Sequence, residues 1–412
     1  MDPEATLSEP AERWAIAKPF LAVLGGWLVV MPASVLTIAL RMREFDATGL
    51  PSFYSLTLAL GWLTLIVSLL AFGAIGDRSR RRSGSRTAVV RIGALGIAVS
   101  GVLVALAPSP AALLAAWVLV QLPVAAVLSN ALAQCGEVVP LNRQGIASGA
   151  IGAASIIALF AGSVLVNITA STLTVAFLIP ALLGAALVVP LAFGNPDKTG
   201  DDSKPVPDAP ASPGSYKLLV SAWVLFTVAS LLLSWATSTT NGFIVLLVER
   251  IALVGAGSVA SISASLISIA TLCAIIGSLV IGPLARTRRS ASLTWVVAAV
   301  ACGAALAILM TWNTTAGLFL AAIVFGTAFG LANGVELSIV LSLRRGSPSL
   351  GRDMGLFTSA TTLPYVLVPA LAAIVLADSV AVGLRLLFWL ACLMAFAAAA
   401  LTFVMRMRTR QV

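Results

Sequence analysis

The chain has 412 residues, of which 59% are hydrophobic and only 10% charged; ordinary soluble domains carry about a quarter charged residues, so the composition excludes a soluble globular protein and points to a polytopic membrane protein. The net charge of +9 would suggest nucleic acid in a soluble chain, but here the cations sit in short loops, where they orient helices in a bilayer, and no folded basic domain is left over for a nucleic-acid role. Histidine is absent, and Cys135, Cys273, Cys302 and Cys392 are scattered singly, which argues against metal sites, disulfide frameworks and histidine-based catalysis.

Taken in order, the chain begins with a polar tail, residues 1–18, that lacks the basic start and short apolar core of a signal peptide, so the first apolar run is expected to be kept as a helix. Twelve apolar runs follow near 19–40, 52–76, 88–107, 111–134, 145–167, 172–193, 217–248, 257–284, 291–311, 316–342, 354–376 and 382–405. Each is about the length of a spanning helix. Between the sixth and seventh lies a polar linker, 194–216, with Pro205, Pro207, Pro210 and Pro213 and no helical apolar stripe. The expected architecture is an all-α membrane protein of twelve helices in two pseudo-symmetric halves, 19–193 and 217–405, with a short tail at 406–412. The four cysteines read as small packing residues.

With a cytoplasmic N-terminus, 21 Lys and Arg fall in inside segments and only Arg41, Arg43, Arg250 and Arg385 fall outside. This bias places both termini in the cytoplasm, and a miscounted helix would have turned arginine-rich loops outward. The densest loop is Gly73-Ala-Ile-Gly-Asp77-Arg78-Ser-Arg80-Arg81-Arg82-Ser-Gly84-Ser-Arg86, a tight charged turn between the second and third runs. A partial copy, Gly282-Pro-Leu-Ala-Arg286-Thr-Arg288-Arg289, follows the eighth run, with Arg286 where the first copy has Asp77.

Two six-helix halves, a central linker and Gly73-x-x-x-Asp77-Arg78-x-x-x-Arg82 between helices two and three resemble the major facilitator superfamily over about residues 15–407. The superfamily's pattern has a glycine two residues after the Asp-Arg pair; here Arg80 stands there, and Gly84 is available to make the turn. The loops Val139-Pro140-Leu-Asn-Arg143-Gln-Gly145 and Ser349-Leu-Gly351-Arg352-Asp353-Met-Gly355 are similar to those of its sugar and glycoside carriers, and also to those of its drug and metabolite exporters. The resemblance implies a transporter of the cytoplasmic membrane, a monomer without cofactor, whose partners are a small-molecule substrate, the lipid bilayer and protons. It also implies a conformational latch at Gly73, Asp77, Arg78, Arg82, Arg143, Arg352 and Asp353, with Asp77 facing Arg143 and the start of helix eleven near Gly355.

Glu336, in the tenth run, is the one carboxylate well inside an apolar run. Placing an acid near the bilayer centre costs about 2.5–3.5 kcal/mol on insertion scales, so a partner or a function is required. Asn333 lies three residues earlier on the same helix face, and the two read either as a substrate- and proton-binding pair or as an acid reaching headgroups near Arg344. Asn130 and Gln134 offer a matching face in the fourth run, whereas Glu137 reads as a solvated loop charge. In the seventh run, Ser234-Trp235-Ala-Thr237-Ser-Thr-Thr240-Asn241-Gly242 is a polar patch. It reads either as a broken helix lining a cavity, with Trp235 and Asn241 on the substrate, or as hydroxyls bonded to their own helix. Tyr54, Trp62, Trp27, Thr361, Thr362 and Tyr365 are lesser lining candidates, and Ser258, Ser261, Ser265 and Ser268 with Gly277 suggest close helix packing. No Walker-type loop is present, so ATP is not the direct energy source. The expected function is secondary active transport of a sugar-like metabolite or amphipathic drug by alternating access with proton coupling; the alternatives are a non-transporting sensor of the same fold and, disfavoured by its single deep carboxylate, a membrane enzyme.

Overall fold

In the computed structural model the described residues are 9–45, 50–140, 143–169, 172–193, 213–251, 259–285, 287–312, 314–344, 347, 349–376 and 379–409. Among them, twelve helical segments are long and apolar enough to cross a membrane. The linker core at 194–212, the first eight residues, Arg286 and Ser258 lie outside the described residues.

Helix α1 (Glu9–Pro32) begins inside the stretch read as a tail and passes through a π-helical segment (Ala33–Thr37) into α2 (Ile38–Phe45). There follow α3 (Leu50–Ser83), α4 (Thr87–Ala105), α5 (Pro110–Val138), α6 (Gln144–Thr169) and α7 (Leu173–Phe193). The second series is α8 (Pro213–Ile251), α9 (Val259–Leu284), α10 (Arg288–Thr311), α11 (Thr315–Leu343), α12 (Leu350–Thr362), α13 (Pro364–Val375) and α14 (Val380–Arg408). The ends follow local chemistry. Ser109 caps α5, accepting from the Ala112 amide, with Pro110 at the first helical position, and Thr287 forms a reciprocal capping box with Ser290 at α10. The eleventh crossing is made in two pieces that meet at Leu363, just before Pro364, which lacks an amide hydrogen to continue the ladder.

Two compact units result: residues 1–147, 154–210 and 345–359 form one, and residues 148–153, 211–344 and 360–412 the other. In the first unit α3 packs on α5, α5 on α4, α4 on α7 and α7 on α1. The second repeats this order, with α9 on α11, α11 on α10, α10 on α14 and α14 on α8. The helices removed from each series are the corresponding ones: α6 contributes residues 148–153 to the second unit, and α12 contributes most of its length to the first.

Three local readings are refined. The charged stretch from Gly73 to Arg86 is helical as far as Ser83, so Arg80, Arg81 and Arg82 occupy the last turn of α3, and the turn itself is Gly84 to Arg86, with Gly84 at φ +71°. That left-handed conformation favours glycine. Helix α8 runs unbroken through the polar patch, as the second of its two readings has it: Thr237, Thr239 and Thr240 donate to carbonyls of their own helix at 3.0, 2.9 and 2.9 Å, those of Ser234, Trp235 and Ala236. Of the serine face of α9, Ser265 and Ser268 are exposed, and close packing is supplied instead by Gly277 against the Thr327 carbonyl of α11. Cys135, Cys302 and Cys392 are buried and none of the four cysteines is in a disulfide.

Candidate functional site

Two constructions carry the polar chemistry, one in each unit. In the first unit Asp77, near the end of α3, is 2% exposed. Its carboxylate accepts from the Gly351 amide at 2.8 Å, the Arg352 amide at 2.9 Å and Arg86 Nη2 at 2.5 Å. The two amides belong to the first turn of α12, where unpaired N–H groups and the helix dipole favour an anion. The backbones can meet because Gly73 lies against Gly351 and Gly355 against Leu69; a Cβ on Gly73 would overlap the Gly351 carbonyl. One turn further, Ser359 donates to the Ile66 carbonyl at 2.8 Å.

Arg86 is the centre of this network, and it was not among the residues expected to form the latch. Besides Asp77 it binds Glu137 of α5 through Nε at 3.0 Å and Nη2 at 2.8 Å, and Asn130 Oδ1 through Nη1 at 3.2 Å. Arg80 joins Glu137 at 2.9 Å. Burial by itself would lower the Arg86 pKa, but hydrogen bonding to and the charge of Glu137, then those of Asp77, raise it above its ordinary value. A pKa raised by folding gives stabilisation that is lost only as pH climbs past it, so Arg86 is charged at every working pH. Glu137, read from sequence as a solvated loop charge, is a partly buried member of the network, its side chain 12% exposed.

Asn130 also changes role. It is fully buried and its amide donates to the Phe72 and Ala126 carbonyls at 3.2 and 2.9 Å, so its capacity is taken up within this network rather than offered to a cavity. Gln134, one turn on, is half-buried. Of the other latch candidates, Arg78, Arg82 and Arg352 are exposed, Asp353 is buried and accepts from Ser347 at 2.6 Å, and Arg143 is half-exposed and is not among the partners of Asp77. The signal that could have found Arg86 is its position after Gly84, which turns the chain back toward α5.

The second unit holds the equivalent seat in neutral form. The opening of α6 lies against α9 and α11: Ser278 donates to the Gly149 carbonyl at 2.9 Å, and the Ser338 amide donates to Ser148 Oγ at 3.1 Å. A Cβ on Gly152 would overlap the Asn333 carbonyl, and one on Gly149 would lie 3.1 Å from the Cα of Gly282, the counterpart of Gly73.

Within the same unit, one face of α8 presents Ser230, Ser234, Thr237 and Asn241, spaced four, three and four apart as a helical stripe requires. Glu336 of α11 is half-buried and meets this stripe at Ser230. The Ser230 hydroxyl is 1% exposed and, although it faces the carboxyl, makes no hydrogen bond of ordinary geometry. Further along, Tyr365 of α13 hydrogen-bonds with Thr237 and Asn241, and Ser238 donates to the Pro364 carbonyl at 3.2 Å. Asn333 spends an amide hydrogen on the Phe329 carbonyl of its own helix at 2.9 Å. Trp235 lies off the stripe, six residues from Asn241, and its indole N–H is buried without a partner. Trp27 is half-buried and Trp62 buried in the first unit, whereas the Tyr54 side chain lies outside the described residues.

Among the described residues, twelve membrane-capable helices fall into two units that repeat one packing order. The sequence profile of the Major Facilitator Superfamily matches residues 20–347, and the chain belongs to that family. It is thus a secondary transporter in the general sense and an integral membrane protein. No curated protein matches it significantly. Among solved structures it is similar to the human organic anion transporter MFSD10 (TETRAN), with a TM-score of 0.71 and 16% identity over 95% of this chain and 99% of that one. It is also similar to the proton:xylose symporter XylE bound to 6-bromo-6-deoxy-D-glucose, with a TM-score of 0.68 and 15% identity over 95% and 96% of the two chains. At these identities the likeness is one of fold.

Proposed function

We propose that the protein carries a small organic solute, a sugar-like metabolite or an amphipathic drug, across the cytoplasmic membrane by alternating access, with both termini in the cytoplasm and with protons as the coupling ion. The observation that carries this reading is the paired seating of α12 on α3 and of α6 on α9 and α11. Residues 148–153 of α6 belong to the second unit and residues 350–359 of α12 to the first, so alternating access by rocking of the two halves would break both seats. The first is charged and the second is not, which makes Asp77 and Arg86 the controllable latch.

Glu336 is the proton site of this reading. It is the carboxylate that lies well inside an apolar run, its helix turn lies between the two residues that seat α6, Asn333 and Ser338, and its side chain is half-buried. An acid held in that position persists because it is used. Reconstituted protein with Glu336→Gln should exchange solute down its gradient but no longer concentrate it against one when a pH gradient is imposed. Concentrative uptake with the same pH dependence as the unaltered protein would exclude the assignment.

A further inference from the structure

Helix α3 keeps two distinct faces as far as its last turn. Successive helical residues are rotated by about 100°. Gly73, Asp77 and Arg80 share the face that meets α5 and α12, where Gly73 lies against Gly351 and Arg80 joins Glu137 at 2.9 Å. The other face is exposed along its length, with Leu63 at 49% and Val67 at 59%, followed by Ala71 and Ile75. Apolar side chains exposed on a membrane-spanning helix meet lipid tails. The same face then continues into Arg78, Arg81 and Arg82, all exposed. These three stand at i, i+3 and i+4, so Arg81 and Arg82 lie within about 60° of Arg78 and the group spans about 6 Å of the axis.

None of the three has an ion-pair or hydrogen-bond partner among the described residues, whereas Arg80 and Arg86 both bind Glu137. Topology requires cations at this end of the helix, but it does not require them on one face. Where the lipid-facing stripe leaves the hydrocarbon, its guanidiniums meet the layer of lipid phosphates. Their apolar stems lie back along the stripe, and the planar forks match phosphate oxygens two at a time. The apolar part of the stripe, Leu63 to Ile75, covers 12 residues, about 18 Å against the ~15 Å of one leaflet's hydrocarbon.

We infer that Arg78, Arg81 and Arg82 form a site for the headgroup of an anionic phospholipid whose acyl chains lie along Ile75, Ala71 and Val67. The occupant is a lipid rather than a soluble anion because the cations are continuous with a tail-length apolar stripe, which a soluble anion would leave unused. Assignment to the cytoplasmic leaflet rests on the orientation proposed above; the site itself rests on neither orientation nor transport. The two faces of α3 then divide the arginines, Arg80 serving the network around Glu137 and the other three serving lipid.

The test uses the full-length protein, delipidated in a neutral detergent and titrated with dioleoylphosphatidylglycerol or with zwitterionic dioleoylphosphatidylcholine, the bound lipid being counted by native mass spectrometry. The phosphatidylglycerol should bind about tenfold more tightly than the phosphatidylcholine, or better. At about fivefold per cation near a lipid surface, Arg78→Gln, Arg81→Gln and Arg82→Gln together should weaken its tightest site about a hundredfold. A charge-matched control, Arg289→Gln, Arg352→Gln and Arg408→Gln together, removes three exposed arginines of other helices and should leave that site within about threefold. Equal affinity for the two lipids overturns the inference, as does an equal loss in the two triple variants, which would mean that net charge alone attracts lipid. Displacement of the lipid by an equal concentration of inorganic phosphate overturns it as well, because the acyl chains would then contribute nothing. If the first triple variant fails to fold, Arg81→Gln alone replaces it and should cost about fivefold; unchanged binding there counts against the site.

Discussion

Replacing Asp77 by asparagine keeps the size of the side chain and removes its charge. The carboxylate holds two amides of α12 and one guanidinium nitrogen at 2.8, 2.9 and 2.5 Å. Breaking a buried ion pair by removing one partner costs about 3–5 kcal/mol. Here Arg86 keeps Glu137 at 2.8 Å, and the amide oxygen of asparagine can still accept one backbone N–H, so the loss is smaller. We take about 2–3 kcal/mol, which at ~1.4 kcal/mol per tenfold is a shift of about 30- to 140-fold toward the state in which α12 is released from α3. Ser359, 5% exposed and bonded to Ile66 across the same contact, reports that release. In proteoliposomes, maleimide should label Ser359→Cys tens of times faster when Asp77→Asn is also present, after subtraction of the native cysteines' reaction. Labelling within twofold of the Ser359→Cys parent would refute the latch.

The other expectations follow from the same contacts. Arg86→Lys keeps the charge but loses the fork that reaches Asp77, Glu137 and Asn130 together, and should cost about 1.5–3 kcal/mol; Glu137→Gln added to it should cost much less than on its own, which a double-mutant cycle of the Ser359→Cys labelling rates would detect, and additive effects would contradict a shared network. Gly152→Ala places a methyl group on the Asn333 carbonyl and should lower stability by about 1–3 kcal/mol, read as a fall in thermal midpoint, or force the α6 seat open, read as faster labelling of Ser148→Cys. Neither change would mean that the seat is not close-packed.

The crossings were legible in the sequence because their signal is additive: twenty apolar residues with cations at one side of the count identify a span whatever its neighbours do. Their ends were less so. Glu9–Lys18, read as part of a polar tail, and Pro213–Tyr216, read as part of the linker, are helical, since a helix started by a membrane run can continue into water at little cost. The hydrogen-bond network around Asp77 was half legible. Asp77 was found by its abrupt place after an apolar run, while Arg86 was absorbed into a cluster of five arginines, of which Arg78, Arg81 and Arg82 are exposed and Arg80 reaches Glu137. Only the turn at Gly84 distinguishes it, by returning the chain toward Glu137, and that is a matter of tertiary approach. The α8 patch was visible as composition, without its grouping into faces. The pairing of Trp235 with Asn241 follows proximity in sequence, whereas the helix groups Ser230, Ser234, Thr237 and Asn241.

The measurement that bears most directly on the transport reading is proton movement in proteoliposomes filled with a pH-sensitive dye and exposed to 1-methyl-4-phenylpyridinium or D-xylose. A change of internal pH on adding one of these solutes, present with the unaltered protein and lost with Glu336→Gln while downhill exchange of the same solute continues, is the predicted result. Solute movement with no accompanying proton movement, or proton movement undiminished by Glu336→Gln, would contradict it.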